Sequence, residues 1–87
     1  MPLGAIAGSG RDHDRALRAV ERGEALPLAE ILERFRPELL DGEIADVEFE
    51  RKHGRWVYEL KVIDRSGRLW EFYVDAESAE VLKKEGH

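Results

Sequence analysis

GRWVYELKVIDRSGRLWEFYVD, Gly54 to Asp75, is the stretch that decides the fold. Trp56, Tyr58, Leu60 and Val62 alternate with Val57, Glu59 and Lys61. Beyond a turn, Trp70, Phe72 and Val74 alternate with Leu69, Glu71 and Tyr73. Successive side chains of a strand point to opposite faces, so a period of two with aromatics and aliphatics in one phase reads as a hairpin with one buried face. Asp64-Arg65-Ser66-Gly67 joins the two runs. Aspartate early and glycine late suit a type I turn closed by a left-handed residue.

Working outward, residues 43–51 give an earlier strand with Val47 and Phe49 in phase. Ile44 breaks that parity, which predicts a bulge near Ala45 or packing of Ile44 at the strand entrance. Lys52-His53-Gly54 is a polar turn. Past Asp75-Ala76-Glu77-Ser78, a short strand from Glu80 to Lys84 turns Val81 or Leu82 inward. Upstream, residues 27–36 place Leu28, Ile31, Leu32 and Phe35 on one helical face, with Pro27 suited to the first turn. Pro37 disfavours helix at Arg36, so an end or kink is expected there, with Leu39 and Leu40 adding a last apolar turn. Residues 12–23 read as a first helix, capped by Asp12 or Asp14 and stopped by Gly23, with Ala16, Leu17, Ala19 and Val20 as its narrow apolar stripe.

The expected architecture is α+β: two N-terminal helices packed on one face of a three- to four-stranded antiparallel meander. Residues 1–11 are expected to be a flexible lead, 12–84 the domain, and 85–87 a tail. The lead lacks the charged and apolar regions of a complete signal peptide.

The chain has 87 residues, no cysteine, and 14 basic against 19 acidic residues, a formal net charge of −5. Disulfides and zinc–thiolate sites are therefore excluded. The acidity argues against nucleic acid, which demands a basic footprint. No run approaches the ~18 apolar residues of a membrane span.

The Trp56-Val57-Tyr58-Glu59 run, the aliphatics to Val62, the Asp64-x-x-Gly67 turn, Phe72-Tyr73-Val74-Asp75-Ala76 and the closing Val81-Leu82, taken in order, resemble a PepSY domain. The Gly23-to-Leu28 link and the helix before it are similar to small secreted bacterial proteins built from one such domain. The resemblance implies a helix–loop–helix followed by an antiparallel sheet, similar to one repeat of the β-lactamase inhibitor protein. It also implies a place in the periplasm or outside the cell. Such domains are associated with propeptides of thermolysin-type metalloproteases, with spore-cortex regulatory proteins and with exported proteins of undefined role. The implied activity is non-enzymatic: binding of a protein partner, with inhibition of a protease or other exported enzyme as its sharper form. The family offers no catalytic residues to carry over. It usually has glycine where this chain has Ala79, which predicts a reshaped last turn, because alanine in a left-handed backbone is costly.

His13, His53 and His87 are scattered, so neither a metal centre nor a cofactor is expected. No nucleophile–base set and no phosphate-binding glycine loop is present. Arg51, Lys52, His53 and Arg55 cluster at one turn. Val57, Ile63, Leu69 and Tyr73 are apolar residues on the face opposite the core, and Glu48, Glu50, Glu59, Lys61 and Glu71 on that face are expected to meet solvent. A contact surface made by Arg51, Lys52, His53, Arg55, Val57, Glu59, Lys61 and Tyr73 is the expected binding site. A homodimer through the outer face or the last strand is a further expectation. The runner-up function is a small-ligand or metal-sensing domain with a gap between helices and sheet. That reading requires a pocket of roughly 300 Å³ or more with convergent polar groups.

Overall fold

A computed structural model describes residues 10–87 of the chain. Residues 1–9 of the expected lead, 1–11, lie outside the described residues, and residues 10 and 11 belong to the first helix. Helix α1 spans Gly10–Glu21 and α2 spans Leu28–Leu39; strands β1 (Glu43–Lys52), β2 (Arg55–Ile63), β3 (Leu69–Asp75) and β4 (Val81–Gly86) follow. The strands pair consecutively and antiparallel in the order β1-β2-β3-β4. The helices cover one face of this meander, as the alternation at 54–75 required.

The core is the inner face of the sheet closed by the helices. Val47, Phe49, Tyr58, Leu60, Val62, Phe72 and Val74 are buried against Ala19, Ile31 and Phe35. Phe35 meets Phe72 edge-on with ring centroids 4.8 Å apart, and Phe49 stacks on Trp56 at 4.7 Å. Edge-on and stacked contacts suit the aromatic quadrupole; the first ties α2 to the sheet and the second ties β1 to β2. The link between the helices is sewn to the sheet as well. Leu26 N–H donates to the Ala76 carbonyl, the Tyr58 hydroxyl donates to the Leu26 carbonyl at 3.1 Å, and Trp56 Nε1 donates to Glu24 at 3.1 Å.

The bulge near Ala45 is present: Ile44 pairs with Val62 but Asp46 pairs with Lys61. The extra residue lets Ile44 pack against the core on the same side as Val47. Four expectations are corrected in whole or in part. Helix α2 does not end at Arg36 but continues through Pro37 to Leu39, the last apolar turn expected there, with Leu40 exposed. Pro37 and Glu33, whose carbonyl loses the hydrogen bond, are both exposed, so water can replace it, while Leu39 gains packing on the core. Leu17 is half exposed rather than part of the core stripe; Ala16, Ala19 and Val20 make the contact instead. Strand β4 runs past Lys84 to Gly86. Ala79 does take the left-handed conformation, at φ 68, so the last turn keeps the shape a glycine would give it.

Candidate functional site

The face of the sheet away from the helices carries the site. The β1–β2 connection is a two-residue turn: Lys52 pairs with Arg55, and His53 and Gly54 have φ of 51 and 79. Two consecutive left-handed residues define the type I′ turn, whose twist matches the strands it joins. It sets Lys52, His53 and Arg55 together at one end of the outer face. A second irregularity lies across the sheet. Tyr73 pairs with Lys83 and Val74 with Val81, so Leu82 is an extra residue in β4. A bulge re-aims side chains at a sheet edge, and here Leu82 joins Lys83 on the outer side.

Between these two features is a cleft of about 420 Å³ lined by Lys52, His53, Arg55, Val57, Tyr73, Leu82 and Lys83. Val57, Tyr73 and Leu82 are its apolar lining, Val57 buried and Leu82 40% exposed. The Tyr73 ring lies between two ammonium groups, Lys52 Nζ at 4.8 Å and Lys83 Nζ at 5.8 Å from its centroid, each attracted to the ring face. Lys52 pairs with Glu50 at 3.5 Å, Arg55 with Asp75 at 2.9 Å and Lys83 with Glu85 at 3.2 Å. None of those carboxylates lines the cleft. Burial pushes the Tyr73 phenol up to about 12, so it stays a neutral hydroxyl.

Of the eight expected contact residues, five line this cleft: Lys52, His53, Arg55, Val57 and Tyr73. The other three lie elsewhere. Arg51 has its guanidinium 4.9 Å from the Trp56 ring and borders a neighbouring depression with Glu24 and Glu77. Lys61 pairs with Glu48 at 3.5 Å. Glu59 is buried, only 7% exposed, which corrects its expected exposure. Val57 lies on the outer face as expected but is 3% exposed, because the cleft walls close over it. Leu82 and Lys83 belong to the site and were not anticipated from sequence, since a bulge in β4 leaves no mark in an alternation only a few residues long.

Glu59 is the centre of an acidic belt beside the cleft. Its register partners are Glu48 on β1 and Tyr73 on β3. Burial, then a hydrogen bond with the Glu71 carboxyl, then the charges of Glu50 and Glu48 push Glu59 up to about 7. The same bond holds Glu71 below its ordinary value. Two carboxyls bond only when one keeps its proton, and the more buried Glu59 keeps it. Glu71 also meets His87 Nε2 at 2.5 Å. Among the described residues, Glu71, Glu85 and His87, and separately Glu48, Glu50 and Glu59, bring metal-ligating atoms within 4.8 Å of one another. Lys61, Lys52 and Lys83 already pair with Glu48, Glu50 and Glu85. A cavity of about 190 Å³ also lies beneath α1, lined mainly by Ala16, Leu17, Val20, Leu28, Phe49 and Tyr58, with Asp12 and His13 among its lining residues. It is smaller than a sensing pocket requires, and its walls are mainly apolar; a second gap, of about 400 Å³ between the C-terminal end of α2 and the sheet, reaches that size and is lined by Leu39, Val62, Trp70 and Phe72 with Asp64, Arg65 and Lys84.

These features define a small helix–helix–meander domain with a cation-rimmed, apolar-lined cleft on its open sheet face. The chain belongs to the PepSY family: the model described as peptidase propeptide and YPEB domain matches residues 25–85. Comparison with the curated proteins and with the solved structures gives no match. The family match begins in the inter-helix link and takes in α2 and the whole meander. No helix among the described residues is long and apolar enough to cross a membrane.

Proposed function

We propose that this chain is a non-catalytic, exported regulatory module that binds another protein through the outer-face cleft. The observation that carries the reading is the convergence of Lys52, His53, Arg55 and Lys83 with the apolar lining of Val57, Tyr73 and Leu82. The inner face is consumed by the core, so a sheet-borne contact has only the outer face to use. The family's printed description, peptidase propeptide, supports a peptidase or other exported enzyme as the partner and inhibition as the outcome of binding.

The test is site-directed photo-crosslinking. One variant carries a crosslinking residue in place of Leu82, and a control carries it in place of Arg34 on α2. Each is incubated with the exported proteins of the encoding organism. A discrete adduct from position 82 alone, competed away by the unmodified chain, is expected. Assay of the captured protein with and without the chain then reads inhibition directly. Equal adducts from both positions, or none from position 82, overturn the outer-face reading.

A further inference from the structure

We propose that the cleft recognises an internal acidic–apolar–acidic segment of its partner, one aliphatic or aromatic side chain flanked by carboxylates; this rests on the protein-binding reading above. The chain carries more acids than bases, 19 against 14, yet the cleft lining holds Lys52, Arg55, Lys83 and His53 and no carboxylate. The carboxylates that pair with Lys52, Arg55 and Lys83 stand outside the lining, so the cleft itself presents cations, the complementarity that selects an anionic partner. The cations stand on two flanks. Lys52, His53 and Arg55 come from the β1–β2 turn and Lys83 from β4, with Val57 and Tyr73 between them and Leu82 beside Lys83. A carboxylate at a chain terminus would satisfy one flank only; carboxylates on both sides of an apolar residue satisfy both.

The existing pairs do not block this. Lys52–Glu50 and Lys83–Glu85 are substantially exposed, and exposed pairs contribute little, so an incoming carboxylate can displace them; Arg55 stays with the mostly buried Asp75 at 2.9 Å, which leaves Lys52 and Lys83 as the cations that meet the ligand. The neighbouring belt limits the anion's length. Glu50, Glu71 and Glu85 lie further along the strands that line the cleft, so a nucleic acid, an anionic membrane or a long polyacidic run meets like charge beyond the cleft. A short acidic segment does not. Val57, Tyr73 and Leu82 supply the apolar contact, and a cleft of about 420 Å³ falls within the roughly 300–1,000 Å³ range of ligand sites.

The experiment is titration of the whole ¹⁵N-labelled chain with three end-blocked peptides, Gly-Asp-Leu-Glu-Gly, its Asn/Gln counterpart Gly-Asn-Leu-Gln-Gly, and Gly-Asp-Gly-Glu-Gly. Saturable shifts at the amides of Val57, Tyr73, Leu82 and Lys83 are expected with the first peptide. Affinity should fall about tenfold for the amide counterpart and for a Lys52→Glu/Lys83→Glu variant, and should weaken with added salt, as rim charges dictate. An Arg34→Glu variant should bind unchanged. Equal binding of the first two peptides, equal binding of the first and third, shifts confined to the α1 cavity, or no shift at millimolar peptide each overturn the proposal. So does concentration-dependent dimerisation abolished by Leu82→Glu, which would give the cleft to a second copy. If the peptides fail while position 82 still crosslinks a partner, the ligand class falls and the protein-binding reading stands.

Discussion

Glu59→Gln should make the domain more stable at neutral and alkaline pH and flatten its pH dependence. In the fold, Glu59 keeps its proton until about pH 7, against an ordinary value of 4.5. The unfolded chain releases that proton near 4.5, so between about pH 4.5 and 7 the native state holds one more proton than the unfolded state. Stability therefore falls as pH rises through this window. The displacement corresponds to about 3 kcal/mol, fully present below pH 4.5 and lost above about pH 7. Glu71 does not alter this window, because its value is lowered and it is ionised in both states above pH 5. Glutamine is isosteric, stays neutral and can still donate to the Glu71 carboxylate. Urea denaturation followed by tryptophan fluorescence from pH 5 to 9 measures the effect. With a slope near 1 kcal/mol/M for a small domain, the wild-type midpoint should fall relative to the variant by about 2 M between pH 5 and pH 8. The difference between the two proteins isolates Glu59 from every group the two share. Parallel midpoint curves, or a variant less stable than wild type at pH 8, would refute the shared-proton account.

Other outcomes follow from the backbone and the core. Ala79→Gly relieves a left-handed alanine, at φ 68, at the cost of extra unfolded-state entropy; the net gain should be about 0.5 kcal/mol, or ~2–4 °C in Tm. Phe35→Ala deletes the ring that meets Phe72 edge-on at 4.8 Å and should cost about 3–5 kcal/mol by urea denaturation, whereas Arg34→Ala, on the exposed side of α2, should stay within ~0.5 kcal/mol. Asp64 accepts hydrogen bonds from Trp70 Nε1, the Arg68 and Ser66 N–H groups and the Ser66 hydroxyl. The Trp70 bond first, then the turn's backbone, holds its carboxyl far below the ordinary 3.8. Its contribution is therefore present above about pH 4 and lost as pH falls further, so Asp64→Ala should lower the thermal midpoint at pH 6 and have less effect near pH 2.

The layered fold was legible because its signals are local. Alternation in 54–75 assigns a face to every residue of β2 and β3, and the 3.6 period of Leu28, Ile31, Leu32 and Phe35 supplies the matching lid. Local rules failed where a neighbour in space overruled them. The chain passes Pro37 helically because the lost hydrogen bond falls on exposed residues while Leu39 packs inward. Leu17 lost its core place to smaller residues because α1 lies against β1.

Sequence by itself determined which face of the hairpin is core, because burial has a period and a period can be read from one strand alone. It also placed Lys52, His53 and Arg55 beside Val57 and Tyr73 as the residues worth watching. Only the tertiary structure decided that these line one cleft together with Leu82 and Lys83. The two devices responsible, the left-handed His53-Gly54 turn and the bulge that brings in Leu82, sit about thirty residues apart and meet only through strand register. The same holds for Glu59. Nothing in Val57-Tyr58-Glu59-Leu60 distinguishes it from a solvated glutamate; its burial and retained proton come from Glu48, Glu50, Glu71 and Tyr73, which pairing across three strands assembles around it.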